Sequence, residues 1–192
     1  TFNEWSSSSH PLARNQGFWQ ALVPGASAGA EYKLVLDGNL WRTDPRTRRQ
    51  TSSVGNSVVT RPDAFAWTDG AWVTPWFEDL ILYELHVGSF SGEEDGVPAY
   101  PARFRDAADR HLDHLVELGI NAIELMPVGE FAGERSWGYN PAFLYAVESA
   151  YGGPDDLKYL GDRCHARGIA VLLDVVYNHM GASDLAGNLL DY

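Results

Sequence analysis

The sequence predicts a small antiparallel β module followed by the opening of a parallel α/β unit. Three observations predict it. Up to about Pro75 the chain runs in short strand-like stretches between turn residues, with no helical period longer than two turns. From Trp76 onward three nearly continuous apolar runs, Leu80–Val87, Ala122–Val128 and Ile169–Tyr177, alternate with two helical periods. The polar residues of this second part collect where the apolar runs end. The expected units are therefore residues 1–75 and 76–192.

In the first unit, Phe18–Val23 is a strand closed by Pro24-Gly25, and Tyr32–Leu36 is another closed by Asp37-Gly38-Asn39. Asp-Gly after an alternating run marks a hairpin, because both residues tolerate the positive φ of a tight turn. Asp44-Pro45 and Arg61-Pro62 punctuate further turns, and Ser6–Ser9 is a loop. Short strands separated by turns read as a β-sandwich. In the second unit, Leu80–Val87 is a strand expected to be buried on both faces. Phe104, Ala108, Leu112, Leu115 and Leu118 then share one helix face, and Gly119 stops the helix. Ala122–Val128 is the second strand, and a loop follows it. A second helix spans Asp155–Arg167, with Pro154 favouring its start, Gly168 ending it, and Leu157, Leu160 and Cys164 inward. Ile169–Tyr177 is the third strand. This alternation demands parallel strands joined by right-handed crossovers. A doubly wound open sheet and a (β/α)₈ barrel both satisfy it, and in both the chemistry lies at the C-terminal ends of the strands. A complete barrel needs about 250 residues, so the barrel reading makes this unit incomplete.

Composition narrows the partners. The chain has 192 residues, 45% hydrophobic and 21% charged, as in a soluble globular protein. A net charge of -12 repels phosphate backbones, which argues against nucleic acid. No apolar run reaches the length of a membrane span, which argues against a membrane partner. No basic-then-apolar leader opens the chain, so the expected location is the cytoplasm, although the first residue is Thr1 rather than methionine and secretion stays open. The single cysteine, Cys164, excludes an intramolecular disulfide and reads as a core residue. No dinucleotide fingerprint, phosphate loop or nucleophile elbow occurs, and no cofactor is called for.

The groups that could carry chemistry are Glu84, His86 and Ser89 after the first strand, Glu130, Trp137, Tyr139 and Asn140 after the second, and Asp174, Asn178 and His179 on the third. Asp174 is the sharpest, because it interrupts the apolar run from Ala170 to Val176, where a carboxylate is costly unless paired. Strand period puts Asn178 on the same face. The alternative for Asp174 is a structural ion pair with an arginine; for His179 it is a ring satisfied by backbone. Glu84 and His86 without a third ligand make a weak metal signal, and a structural role is favoured. Trp137 and Tyr139, exposed in a loop near the rim, suit stacking on a flat ligand such as a sugar ring; simple anchoring of the loop is the competing reading.

The segment Asp174-Val-Val-Tyr-Asn-His179 resembles the first conserved motif of glycoside hydrolase family 13, the α-amylase family. Gly119–Pro127 resembles that family's second barrel strand, and Tyr83–Phe90 its first. Ser136-Trp-Gly-Tyr-Asn-Pro141 resembles the following loop in glycogen branching enzymes and maltooligosyltrehalose trehalohydrolases. Upstream, Phe2–Trp5, His10–Leu12 and Trp19–Lys33 resemble the glycogen-binding β-sandwich that precedes such barrels. The resemblance implies a partial carbohydrate-binding-like β-sandwich followed by the first three βα units of a (β/α)₈ barrel. It implies a retaining mechanism on α-1,4-glucans (glycogen, starch or maltooligosaccharides), in which one carboxylate attacks and another serves as acid and then base. It makes Tyr139, Trp137, Asp174 and His179 substrate-binding residues: Asp174 supports the catalytic centre, His179 bonds the sugar and Tyr139 stacks beneath it. Asn178 matches a calcium ligand that branching-type relatives often lack. The family's nucleophile aspartate, acid/base glutamate and third aspartate follow strands four, five and seven, beyond the third strand where this chain ends. No residue here takes a catalytic role, Glu124 and Glu130 included, and the expectation is an N-terminal fragment of a longer enzyme, closest to branching enzymes and without activity of its own. The alternatives are a parent that is a trehalohydrolase or a debranching enzyme, and a non-catalytic glucan-binding module acting through Trp5, Trp19 or Trp41.

Overall fold

The computed structural model describes residues 2–90, 93–94 and 96–181. The expected loop end at Tyr192 lies outside them. Ala13–Asn15 pairs antiparallel with Phe18–Gln20 around Gln16-Gly17, both at positive φ. Leu34–Leu36 pairs with Leu40–Arg42 around Asp37 (φ 50°) and Gly38 (φ 81°), the turn that the Asp-Gly pair predicts. Glu31–Tyr32 pairs with Ser57–Val58. These are separate two-stranded pieces, and among the described residues they do not form the two facing sheets of a sandwich. Of the apolar residues that would fill a sandwich, Phe18, Trp19 and Leu22 stay outside, 70%, 66% and 90% exposed, while Tyr32 and Leu34–Leu36 are half-buried. Hydrogen bonds tie the module together instead. Tyr32 Oη–H donates to Asp44 Oδ2 at 2.6 Å, the Asp44 N–H to Ser57 Oγ at 3.0 Å, and Thr47 Oγ1–H to the Arg49 carbonyl at 2.7 Å.

The second part carries β1 (Leu82–Leu85), α1 (Phe104–Arg110), α2 (Leu112–Glu117), β2 (Ala122–Leu125), β3 (Gly129–Phe131), β4 (Pro141–Val147), α3 (Pro154–His165) and β5 (Ala170–Leu173). β5, β2 and β1 form a parallel sheet in that order, with Ala122 in register with Leu82 and Ala170. Two expectations are corrected. The single helix before Gly119 breaks at His111 into α1 and α2. β1 and β5 are not buried on both faces, since Leu82 is 45% and Leu173 48% exposed. Both are edge strands of a three-stranded sheet, and only the central β2 is covered. A third difference is a gain. The segment read as a loop after the second strand contains an antiparallel hairpin, β3–β4, with register shifts around Glu130.

The core forms where Phe104, Ala108, Leu112 and Leu115 meet Ile123 and Leu125 from the sheet and Leu160 and Cys164 from α3. Each large apolar side chain fully buried there stabilises the fold by about 1.5–3 kcal/mol. Burial pushes the Cys164 thiol up to about 12, which makes it inert, as a core residue should be. Strand alternation puts Glu84 and Glu124, register partners on β1 and β2, on the face opposite Ile123 and Leu125. The segment before β1 leans on α3: Trp72 stacks on His165 at 4.4 Å, and the N–H and Oγ1–H of Thr68 donate to Asp162.

Candidate active-site wall

The C-terminal ends of the three parallel strands carry the candidate site. The β3–β4 hairpin loop folds back over that rim and is zipped to the chain leaving β5. The Asp174 N–H donates to the Leu125 carbonyl at 2.9 Å, which continues the ladder past β5. Tyr139 Oη–H donates to Asp174 Oδ2 at 2.7 Å. His179 Nε2–H donates to the Tyr139 carbonyl at 2.6 Å, and the Gly181 N–H to the Pro141 carbonyl at 2.8 Å. Three of the four expected sugar-binding residues are thus joined in one constellation. The fourth, Trp137, sits on the same loop with 72% of its surface exposed.

The loop is held in place by local chemistry. Gly138 has φ 91°, and a Cβ there would lie 2.0 Å from the Pro127 carbonyl oxygen, so the close approach needs glycine. Ser136 Oγ–H bonds to Asn140 Oδ1 and accepts the Gly138 N–H at 2.9 Å. The Ser136 carbonyl lies 2.7 Å from His86 Nε2, and a carbonyl can only accept, so Nε2 carries the hydrogen. In the neutral ring Nδ1 then accepts from Ser89 Oγ–H at 2.8 Å. His86 is therefore a strut under the loop.

Asp174 is half-buried at the strand end rather than sunk in the sheet, and no arginine ion pair to it occurs among the described residues. Its hydrogen bond pushes the Tyr139 hydroxyl up to about 12, helped by burial and by the charges of Asp174, Glu84 and Glu124. The phenol stays protonated and remains a donor. Beside it lies a cleft of about 170 Å³, lined largely by apolar residues including Pro127, Pro141, Leu144, Leu173 and Tyr177, with Asp174 at its wall. Asn178 is exposed.

Glu130 does not stand at the rim. It is fully buried, and so is Glu148, which the sequence reading passed over. Ser149 donates its N–H to Glu130 Oε2 at 2.8 Å and its Oγ–H to Oε1 at 2.9 Å. Glu148 accepts the Phe131 N–H at 3.0 Å and the Ala150 N–H at 2.8 Å. The register shifts of the hairpin interrupt its ladder here, and each glutamate supplies the acceptor that the facing strand lacks. Burial raises both, Glu130 to about 7 and Glu148 to about 8, with repulsion from Glu130 adding to the second. An acidic residue inside an apolar-flanked strand was the available signal for Glu130, and nothing in the pattern marked Glu148 as its counterpart.

Residues 100–186 match the alpha amylase catalytic-domain model. The chain is 41% identical over 177 residues to the malto-oligosyltrehalose trehalohydrolase of Arthrobacter ramosus, covering 90% of this chain and 29% of that protein. It is 39% identical over 191 residues to the 1,4-alpha-glucan branching enzyme of Vibrio cholerae, covering 93% and 26%. Among solved structures it resembles a putative alpha amylase from Salmonella typhimurium, with TM-score 0.79, 38% identity, and 93% of this chain and 29% of that one covered. It also shares the fold of a pullulanase from Paenibacillus barengoltzii solved with maltohexaose and alpha-cyclodextrin, with TM-score 0.67, 22% identity, and 88% and 32% covered. The chain spans about three tenths of the length of the curated relatives it matches.

Proposed function

The chain belongs to the alpha-amylase family, and from that premise we propose that it supplies one wall of an α-1,4-glucan subsite in a longer retaining glycosyl hydrolase or transferase. In this reading Tyr139 stacks beneath a sugar, Asp174 and His179 hold its hydroxyls, and Trp137 offers a second aromatic face. The observation that carries it is the constellation Tyr139–Asp174–His179, tied by bonds of 2.7 and 2.6 Å across 35 and 40 residues of sequence. The chain spans about three tenths of its relatives' length, and in this reading the nucleophile and the acid/base lie outside it, so the 192-residue chain alone is expected to turn over no glucan. Release of reducing sugar or trehalose, or branch formation, by the purified chain on amylose or maltooligosaccharides would refute this. Among the described residues no helix is long and apolar enough to cross a membrane. Trehalose release and branching are both compatible with this segment, since relatives of both kinds match it at similar identity.

A second reading rests on the exposed aromatics of the first unit. Trp5 and Trp41 lie 6.3 Å apart between ring centroids, and Trp19 is largely exposed. Such a surface suits non-catalytic glucan binding. Retardation in glycogen gels, compared between the chain and its Trp41→Ala and Tyr139→Ala variants, separates the two: the first reading predicts that Tyr139→Ala abolishes retardation, the second that Trp41→Ala does.

A further inference from the structure

The β3–β4 hairpin that carries Trp137 and Tyr139 is poorly held by its own ladder. Register shifts on both sides of Glu130 break the pairing, and backbone donors left outside the ladder need other acceptors. The N-terminal module meets two of them. The Val147 N–H, at the end of β4, donates to the Arg48 carbonyl at 3.4 Å. The Gly133 N–H, just beyond β3, donates to Ser53 Oγ at 3.1 Å across 80 residues of sequence. The segment from Arg48 to Ser53 thus runs alongside the hairpin, from its open end to the root of its loop. That segment is itself braced. The Val58 N–H returns to the Arg49 carbonyl at 2.9 Å, the Thr51 N–H to the Asn56 carbonyl at 3.1 Å, and Asn56 Nδ2–H to Glu31 Oε2 at 2.7 Å. Ser53 is 5% exposed, so its hydroxyl is packed against the hairpin and not loose on the surface.

We infer that Ser53 is a positioning residue for the loop that presents Trp137 and Tyr139, and that the N-terminal module serves the glucan subsite as an intramolecular splint. The inference rests on the reading of those two aromatics as sugar-binding residues. The loop has two anchors before its aromatic tip: Gly133 on Ser53, and Ser136 on His86. Two anchors fix a direction as well as a place, whereas one alone leaves a hinge. Gly133 has φ 77°, and a glycine's backbone freedom is what an external bond must restrict. Ser53 touches no sugar in this arrangement; it acts through the backbone of the loop. The module then has a role that needs no ligand of its own, unlike glucan binding through Trp41.

The test compares the 192-residue chain with its Ser53→Ala, Ser53→Thr and Trp41→Ala variants, first without sugar and then with maltoheptaose. NMR reads amide hydrogen exchange and the Trp137 indole signal. Ser53→Ala should speed exchange at Gly133 and Gly138 about fivefold, as expected for one lost hydrogen bond, and should move the indole signal. The Met126 N–H, bonded to the Leu85 carbonyl at 3.0 Å in the parallel sheet, should keep its rate. Ser53→Thr, which retains the hydroxyl, should restore both signals, and Trp41→Ala should alter neither. Maltoheptaose affinity should fall about threefold in Ser53→Ala and recover in Ser53→Thr, since the loop hinges on His86 instead of coming free. Unaltered exchange at Gly138 with an unmoved indole signal in Ser53→Ala overturns the proposal. So does equal acceleration at Met126, which would mean general loosening, or no recovery in Ser53→Thr. If no form of the chain binds maltoheptaose, the sugar-subsite reading fails; the exchange and indole signals, recorded without sugar, still decide whether Ser53 holds the loop.

Discussion

Replacing Glu148 by glutamine probes the carboxylate pair that clasps the β3–β4 hairpin. Both Glu130 and Glu148 hold their protons to higher pH in the folded chain than an exposed glutamate does, because burial disfavours the charged form. The folded state therefore keeps protons that the unfolded state has released above its ordinary glutamate value of about 4.3. Stability is greatest below that value and falls as pH climbs toward the folded values of about 7 and 8. Each retained proton costs about 1.4 kcal/mol per pH unit across that window. Glu148→Gln removes one titrating group, so the slope between about pH 5 and pH 8 should drop by roughly one such increment. The substitution also has a cost. Glutamine has one acceptor oxygen where Glu148 receives two N–H groups, from Phe131 and Ala150. One of them loses its partner, at about 1–3 kcal/mol. The variant should thus be less stable than wild type near pH 5, with the gap closing toward pH 8. Urea unfolding followed by tryptophan fluorescence at several pH values measures both quantities. Wild-type stability that is flat or rising across the window, or a variant that keeps the wild-type slope, would refute the reasoning.

Other perturbations test the remaining structure. Tyr139→Phe deletes the 2.7 Å bond to Asp174; at this partly exposed site it should cost about 0.5–1.5 kcal/mol and weaken retardation in glycogen gels while leaving the core intact. Gly138→Ala places a Cβ 2.0 Å from the Pro127 carbonyl at φ 91°, so the loop must move; a penalty of about 1–3 kcal/mol should appear as faster proteolysis near Trp137. Leu160→Ala empties a fully buried position in the main core and should lower unfolding stability by about 2–5 kcal/mol, read from the urea midpoint.

Much of the candidate site was legible before the fold was known, for a definable reason. Asp174, Tyr139 and His179 stand out as polar groups at the ends of apolar strands, and a parallel sheet must bring such ends to one rim. How they connect was not legible. Tyr139 reaches Asp174 only because a hairpin, read from sequence as loop, turns the segment back over the rim. The sequence carries no clean signal for that hairpin, because its strands break period two at the register shifts and at Glu130. The sequence leaves His179 open to sugar contact or backbone satisfaction, and its Nε2 bonds a carbonyl, that of the residue whose hydroxyl holds Asp174.

Local pieces were written in the chain: the Asp37-Gly38 turn, the α3 start at Pro154, the strand segments and the family they mark. Each depends on residues a few positions apart, where backbone sterics and side-chain period decide. Which faces are covered, where the N-terminal strands pair, and the burial of Glu130 against Glu148 rather than at the rim emerge from the fold. Those outcomes depend on desolvation and register between segments distant in the chain, and a carboxylate's role is set by what surrounds it.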